Sequence, residues 1–184
     1  MRFFFGFVVL VFLAGLGIWS VQKYKSYDFK AQTIQGEASL HTFDGKYKIV
    51  YFGYMSCPDV CPATLGMLQE ALDELKAQGS DLSDVVVLFI TLDPKRDKIK
   101  ALDSYAKHFY ANAYGLRLGE HTLQAVLDRY GVKREIVPLQ NSKLGYSISH
   151  SSSLYLFDKQ GFLTNEISNL ATIKESLADF FANH

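Results

Sequence analysis

An excess of charge of either sign is missing from this chain: across 184 residues, 19 lysines and arginines stand against 19 aspartates and glutamates. No global basic field draws in nucleic acid and no acidic tail repels it, so nucleic acid is not an expected partner. Internal repeats and low-complexity runs are absent as well. With 48% hydrophobic and 21% charged residues, the composition does not suit a disordered chain and gives one globular domain enough apolar material for a sizeable core. Cysteine is scarce. The only two, Cys57 and Cys61, stand together in YMSCPDVCPAT at residues 54–64.

Apolar length, by contrast, is plentiful at the start. Residues 3–21 carry no charge, close to the roughly 20 residues that span a bilayer core. A cleavable signal has a shorter apolar region, about 7–15 residues, followed by a small-x-small site. Here only Gly15, Leu16 and Gly17 resemble such a site, and they lie inside the run. The expectation is an uncleaved anchor, one N-terminal transmembrane helix over residues 1–21, with Trp19 and Tyr24 at the membrane interface. No cysteine stands directly at the end of the run to carry a lipid, and with the run starting at residue 3 an Arg/Ser-rich transit peptide is not expected. Arg2 on one side and Lys23, Lys25 and Lys30 on the other do not set orientation by the positive-inside rule, but long domains translocate largely regardless of charge. The simplest expectation is a bacterial inner membrane with the soluble domain facing the periplasm. Residues 22–35 read as a polar tether, and residues 36–184 as the domain.

Within the domain, residues 48–54 and 85–92 are continuous apolar runs, as strands buried on both faces would be. Leu65, Leu68, Leu72 and Leu75 recur at helical spacing, which predicts a helix from about residue 62 to Gly79. Amphipathic helices are expected over 97–110 and 120–130, a hairpin over 153–166 and a closing helix over 171–181. Buried strands joined by helical crossovers, then an antiparallel hairpin and a last helix, describe an α/β domain with a thioredoxin-like central sheet flanked by helices.

That order puts Cys57 in the loop leaving the first central strand and Cys61 in the first turn of the following helix. Free N–H groups and the helix dipole there favour thiolate, and Pro62 fits a turn that needs no N–H. The i, i+4 spacing keeps both sulfurs close enough to share an ion or close a disulfide. A purely structural bridge would remove little chain entropy in so small a loop. Soft thiolates select copper(I), zinc or iron–sulfur centres, and two of them need company. His41, His108, His121 and His184 sit where solvated or locally bonded histidines are routine. His150 differs, because it stands among small polar residues just before the expected hairpin and so beside the end of the first strand.

Together these residues resemble the Sco/SenC family: Val50 to Tyr54 as VYFGY, Cys57 to Pro62 as CPDVCP, Ile90 to Pro94 as ITLDP with Arg96 and Asp97, and His150, Ser151 and Ser152 as HSS. The resemblance runs from about residue 36 to the C-terminus. It implies a membrane-tethered copper metallochaperone that supplies the CuA site of cytochrome c oxidase during assembly. Cys57, Cys61 and His150 would be the metal ligands for copper(I) and copper(II). The oxidase's copper-bearing subunit would be the partner, with other copper chaperones or thiol reductases as further partners. Met55, Lys98 and Ser149 depart from the family pattern, and Ser149 removes a carboxylate that commonly orients the imidazole. Without metal, Cys57 and Cys61 can close into a redox-active disulfide. A rival reading is therefore a thiol-disulfide reductase that keeps the oxidase subunit's cysteines reduced. A peroxidase ranks below both, since no arginine is placed locally to activate peroxide. Asp59 is either a solvated carboxylate or a charge that attracts a cation or shapes a partner surface, and Asp93, Arg96 and Asp97 are expected to cap and brace the helix that follows them.

Overall fold

The computed structural model describes residues 27–184; the expected anchor at 1–21 and the beginning of the tether lie outside the described residues. Among those described, no helix is long and apolar enough to cross a membrane. In chain order the elements are β1 (Ala31–Thr33), β2 (Gly36–Ala38), β3 (Tyr47–Gly53), α1 (Val60–Ala77), β4 (Val85–Thr91), α2 (Ile99–Phe109), β5 (Ala113–Leu116), α3 (Glu120–Tyr130), β6 (Arg134–Pro138), β7 (Tyr146–His150), β8 (Leu154–Phe157), β9 (Leu163–Ile167) and α4 (Ile173–Asn183).

The two apolar runs become the middle of a five-stranded sheet ordered β5-β4-β3-β8-β9. β3 pairs in parallel with β4, and β4 with β5, while β8 runs antiparallel to β3 and β9 antiparallel to β8. All seven residues of β4 are buried, because both faces of the sheet are covered. Alternation along β3 sorts its aromatics. Tyr51 stacks on Phe89 at 6.0 Å, and Phe89 meets Tyr105 of α2 at 5.5 Å. Phe52, one residue on, points the other way, to Tyr130 of α3 at 5.0 Å and Tyr155 of β8 at 6.0 Å. Lys48 is fully buried, and its Nζ donates to the carbonyls of Asp158 (3.1 Å) and Lys159 (3.4 Å), tying down the β8–β9 turn.

Three features are not in the sequence expectation. Residues 27–35 belong to the folded body: Phe29 and Ala31 are buried, the Tyr27 ring meets Tyr130 edge-on at 5.1 Å, and the β1–β2 hairpin bridges to the sheet margin between Gln32 and Arg117. A three-residue strand with one exposed position offers too short a pattern to read. The four-residue β5 is short in the same way. The antiparallel pair β6–β7 stands apart from the main sheet, and Pro138 at the end of β6 speaks against a strand when only sequence is seen.

The antiparallel direction of β8 places the histidine. Leu154 pairs with Tyr51 near the C-terminal end of β3, so the residues just before Leu154 overhang the end from which the cysteine loop leaves.

Close approach of β5 to α2 depends on Gly115. A Cβ there would lie 2.6 Å from the Asp103 nitrogen and 2.6 Å from the Leu102 carbonyl carbon, both backbone atoms that cannot turn aside. Gly115→Ala is expected to destabilise by about 1–3 kcal/mol, as overpacking does. Gly66→Ala in α1, where a Cβ meets nothing within 4 Å, should stabilise by about 0.5–1 kcal/mol. Chemical denaturation of the two variants checks the contrast.

Candidate metal centre

The local sequence builds the thiol half of the site. β3 ends at Gly53, and the chain turns through residues 54–59 before α1 begins at Val60, two residues earlier than the leucine spacing predicts. Cys61 and Pro62 thus occupy the first turn. Asp59 is the N-cap residue but its side chain caps nothing. The Cys57 sulfur does so instead, accepting from the Cys61 N–H at 3.4 Å, which answers one of the helix's unpaired donors.

The two thiols differ in environment. Cys57 is half-buried, while Cys61 is completely enclosed. Burial pushes the Cys57 thiol up, but hydrogen bonds from the backbone at Asp59 and Cys61, and from the Cys61 and Tyr54 side chains, pull it down further, to a net value below the ordinary thiol. Burial pushes the Cys61 thiol up to about 12, despite a backbone hydrogen bond from Tyr54.

The third donor comes from β7. The His150 Nε2 lies 3.5 Å from the Cys61 sulfur, and its Nδ1 lies 2.8 Å from the Ser151 carbonyl. Since that carbonyl can only accept, Nδ1 carries the proton and Nε2 presents its lone pair to the thiols. Burial lowers the imidazole pKa against the pull of the carbonyl, so the ring is neutral at pH 7. One ligand atom from each of Cys57, Cys61 and His150 lies within 4.8 Å of the others. Among the described residues this is the only such group of His, Cys, Asp and Glu side chains. His41 and His184 are bonded locally, to Asp44 and to the Phe180 carbonyl, and His108 and His121 are exposed.

Ser149 has no bearing on the imidazole. In β7 the side chains of Ile148 and His150 lie on one face, and Ser149 is exposed on the other, so a carboxylate there would point away. The Ser151 carbonyl does the orienting.

Asp93, Arg96 and Asp97 do not cap the helix, as the sequence suggests; the N-cap of α2 is Lys98, with no side-chain cap. They brace the site from behind. The buried Asp97 carboxylate accepts from the Thr91 hydroxyl at 2.6 Å and from the Met55 N–H at 3.1 Å, gripping the cysteine loop. Arg96 pairs with Asp93 and donates to the carbonyls of Leu144 (3.1 Å) and Tyr146 (3.0 Å), with its guanidinium 3.8 Å above the Tyr146 ring. The Tyr146 hydroxyl returns a bond to Asp93 at 2.9 Å, and Arg134 donates to the Leu92 carbonyl at 2.8 Å. These contacts hold the β6–β7 ribbon, and His150 with it, over the thiols. Tyr54 completes the join: its hydroxyl accepts from the Ile148 N–H at 3.3 Å, and its ring meets the imidazole at 6.0 Å. The sequence signal for this ribbon was the turn between residues 138 and 146, where Asn141 and Gly145 both take positive φ.

A family model described as SCO1/SenC matches residues 21–182. An SCO2-like protein of Rickettsia prowazekii is 37% identical over 117 residues, covering 64% of this chain and 56% of its own length. The mitochondrial SCO2 homolog of Bos taurus is 32% identical over 142 residues, covering 77% of this chain and 52% of its own. The chain thus spans about half the length of these curated relatives. Among solved structures, Arabidopsis thaliana ScoI with copper bound superimposes with a TM-score of 0.76 at 26% identity, covering 85% of this chain and 98% of that one.

The unequal thiols give a direct check. Because its pKa is lowered, Cys57 should carry more thiolate than an ordinary thiol at the same pH and so alkylate faster, while Cys61, buried and with its pKa raised, reacts far more slowly. Iodoacetamide labelling of the reduced protein with peptide mapping at pH 6–8 should find Cys57 modified well before Cys61. Equal rates at both cysteines would contradict the geometry.

Proposed function

The chain belongs to the SCO1/SenC family, and from that membership we propose that it is a copper-binding protein of cytochrome c oxidase assembly, a metallochaperone that carries copper on Cys57, Cys61 and His150 to the copper-bearing subunit of the oxidase. One observation carries the reading: two thiol sulfurs and an imidazole Nε2, its tautomer fixed by Ser151, converge within 4.8 Å. Two thiolates and one imidazole suit copper(I), and the same set accepts copper(II) with further nitrogen or oxygen donors. The shallow burial of Cys57 beside the enclosed Cys61 leaves one sulfur within reach of a receiving ligand, as a site that must release its cargo requires.

That same asymmetry favours a second reading, thiol-disulfide exchange. The Cys57 thiolate would attack a disulfide of the oxidase subunit and release one of its thiolates; Cys61 would then lose its proton and attack Cys57, freeing the second thiolate and leaving a Cys57–Cys61 disulfide. This route needs no imidazole ligand.

His150→Ala separates the two. The variant should keep its fold and its Cys57–Cys61 disulfide chemistry, lose most copper(II) affinity together with the sulfur-to-copper charge-transfer band, and lower oxidase activity in cells as severely as Cys57→Ala. Loss of copper(II) with full oxidase activity would favour the reductase; unchanged copper(II) binding would remove His150 from the ligands.

The uncharged run at residues 3–21 supports a single-pass anchor in a bacterial inner membrane with the domain on the periplasmic side. The protein should resist extraction by alkaline carbonate, and an impermeant thiol reagent should reach Cys57 in intact spheroplasts. Labelling only after lysis would reverse the topology.

A further inference from the structure

Behind the Cys61 sulfur stands a polar group with nothing to do. Tyr51 is fully buried in β3, and its hydroxyl has no hydrogen-bond partner. Such an orphan is destabilising, and in a native core it calls for an explanation. Its position is set by the strand. Tyr51 and Gly53 share one face of β3, and a Cβ at Gly53 would lie 3.1 Å from the Tyr51 ring and 3.1 Å from the Cys61 sulfur. The missing side chain at 53 is what lets tyrosine and cysteine approach the same spot. The polar groups that face the phenol are Cys61, Thr64 and Cys57. Thr64 donates its own proton to the Val60 carbonyl at 2.8 Å, and none of the three makes a hydrogen bond with the phenol.

We propose that Tyr51 is the inner support of the metal site: its hydroxyl, idle while Cys61 is a thiol, donates a hydrogen bond to the Cys61 sulfur when that sulfur becomes a metal-bound thiolate. The inference deepens the metal-binding reading and rests on it. A neutral thiol is a weak acceptor, whereas a thiolate is a strong one, and charge-assisted bonds are roughly twice as strong as neutral ones. When a metal takes the place of the Cys61 proton, which leaves to solvent, negative charge appears on a fully enclosed sulfur, where an unpaired charge is costly. The phenol is a buried donor facing it that has no partner. The disulfide form, with neutral sulfurs, gains nothing from it. Tyr51 therefore biases the site toward the metal-loaded state over the oxidised one.

Tyr51→Phe tests this, since it removes one oxygen from a hydroxyl that bonds nothing in the metal-free state. In the full-length protein, kept in mild detergent and reduced, the metal-free variant should melt at the same temperature as the parent or higher. Its affinity for cadmium(II), used as a thiolate-seeking probe and measured by chelator competition, should fall about 10- to 100-fold, the usual effect of losing an outer hydrogen bond to a metal ligand. With copper(II), the sulfur-to-metal charge-transfer band should move to longer wavelength, because an unsupported sulfur gives up its electrons more easily. Unchanged cadmium affinity, or a band that does not move, would overturn the proposal. So would a metal-free melting temperature that drops as far as that of the loaded form, for the hydroxyl would then serve the fold alone. Cadmium binds these thiolates whether or not copper is the natural cargo. A parent that ignores copper while Tyr51→Phe weakens cadmium would end the copper reading and leave this one standing.

Discussion

No methyl group fits at Gly53, and the metal centre depends on that lack of room. A Cβ at this position would stand 2.7 Å from the Phe89 ring, so the strand that carries it must present bare backbone to the helix packed above. The first turn of α1 settles onto that gap and seats the Cys61 sulfur against the sheet. Burial of Cys61, its raised pKa and the nearness of Tyr51 all follow from the same contact. Cys57 escapes full enclosure, because the loop carries it outward to the helix end, where the backbone at Asp59 and Cys61 hydrogen-bonds to its sulfur. One close approach thus yields two cysteines of opposite character four residues apart.

The imidazole is held by different means. β6 and β7 form a two-stranded ribbon off the main sheet, and such ribbons have little stability of their own. Arg96 and Arg134 supply what the ribbon lacks, each spending its guanidinium on backbone carbonyls that lie far along the chain. Arg96 also shows why a planar fork serves better than a lysine here: it pairs with Asp93, reaches two carbonyls and stacks on Tyr146 at once. Asp97 couples this brace to the cysteine loop through the Met55 N–H, so the two halves of the site share one support.

Much of this was legible from sequence, for reasons that differ by element. Strands β3 and β4 announce themselves as unbroken apolar runs because both faces are buried, and α1 shows its leucine stripe. Chain direction then accounts for His150, since an antiparallel β8 must begin where β3 ends. The short strands β1, β2 and β5 carry too few residues for a period to show, and β6, largely exposed and ending in proline, lacks an apolar face. Arg96 and Asp97 could be seen as a pair, but their partners, Leu144, Tyr146 and Met55, are fixed by tertiary packing that no local pattern encodes. Tyr51 looked like any core aromatic; only its unanswered hydroxyl, a property of the folded interior, sets it apart.

His150 stands 89 positions along the chain from Cys61, and that separation orders events in time. A chain made from its N-terminus shows its dithiol while the ribbon that carries the imidazole has yet to be synthesised. Closing so long a loop costs on the order of 4 kcal/mol in chain entropy, which the ribbon's docking contacts must offset before the third donor arrives. Until then the protein is an unselective pair of sulfurs, open to any soft ion or passing oxidant. Whatever discrimination the nitrogen donor brings belongs to the finished molecule, so the timing of metal encounter, before or after the last third of the chain has folded, determines which ion the sulfurs meet first.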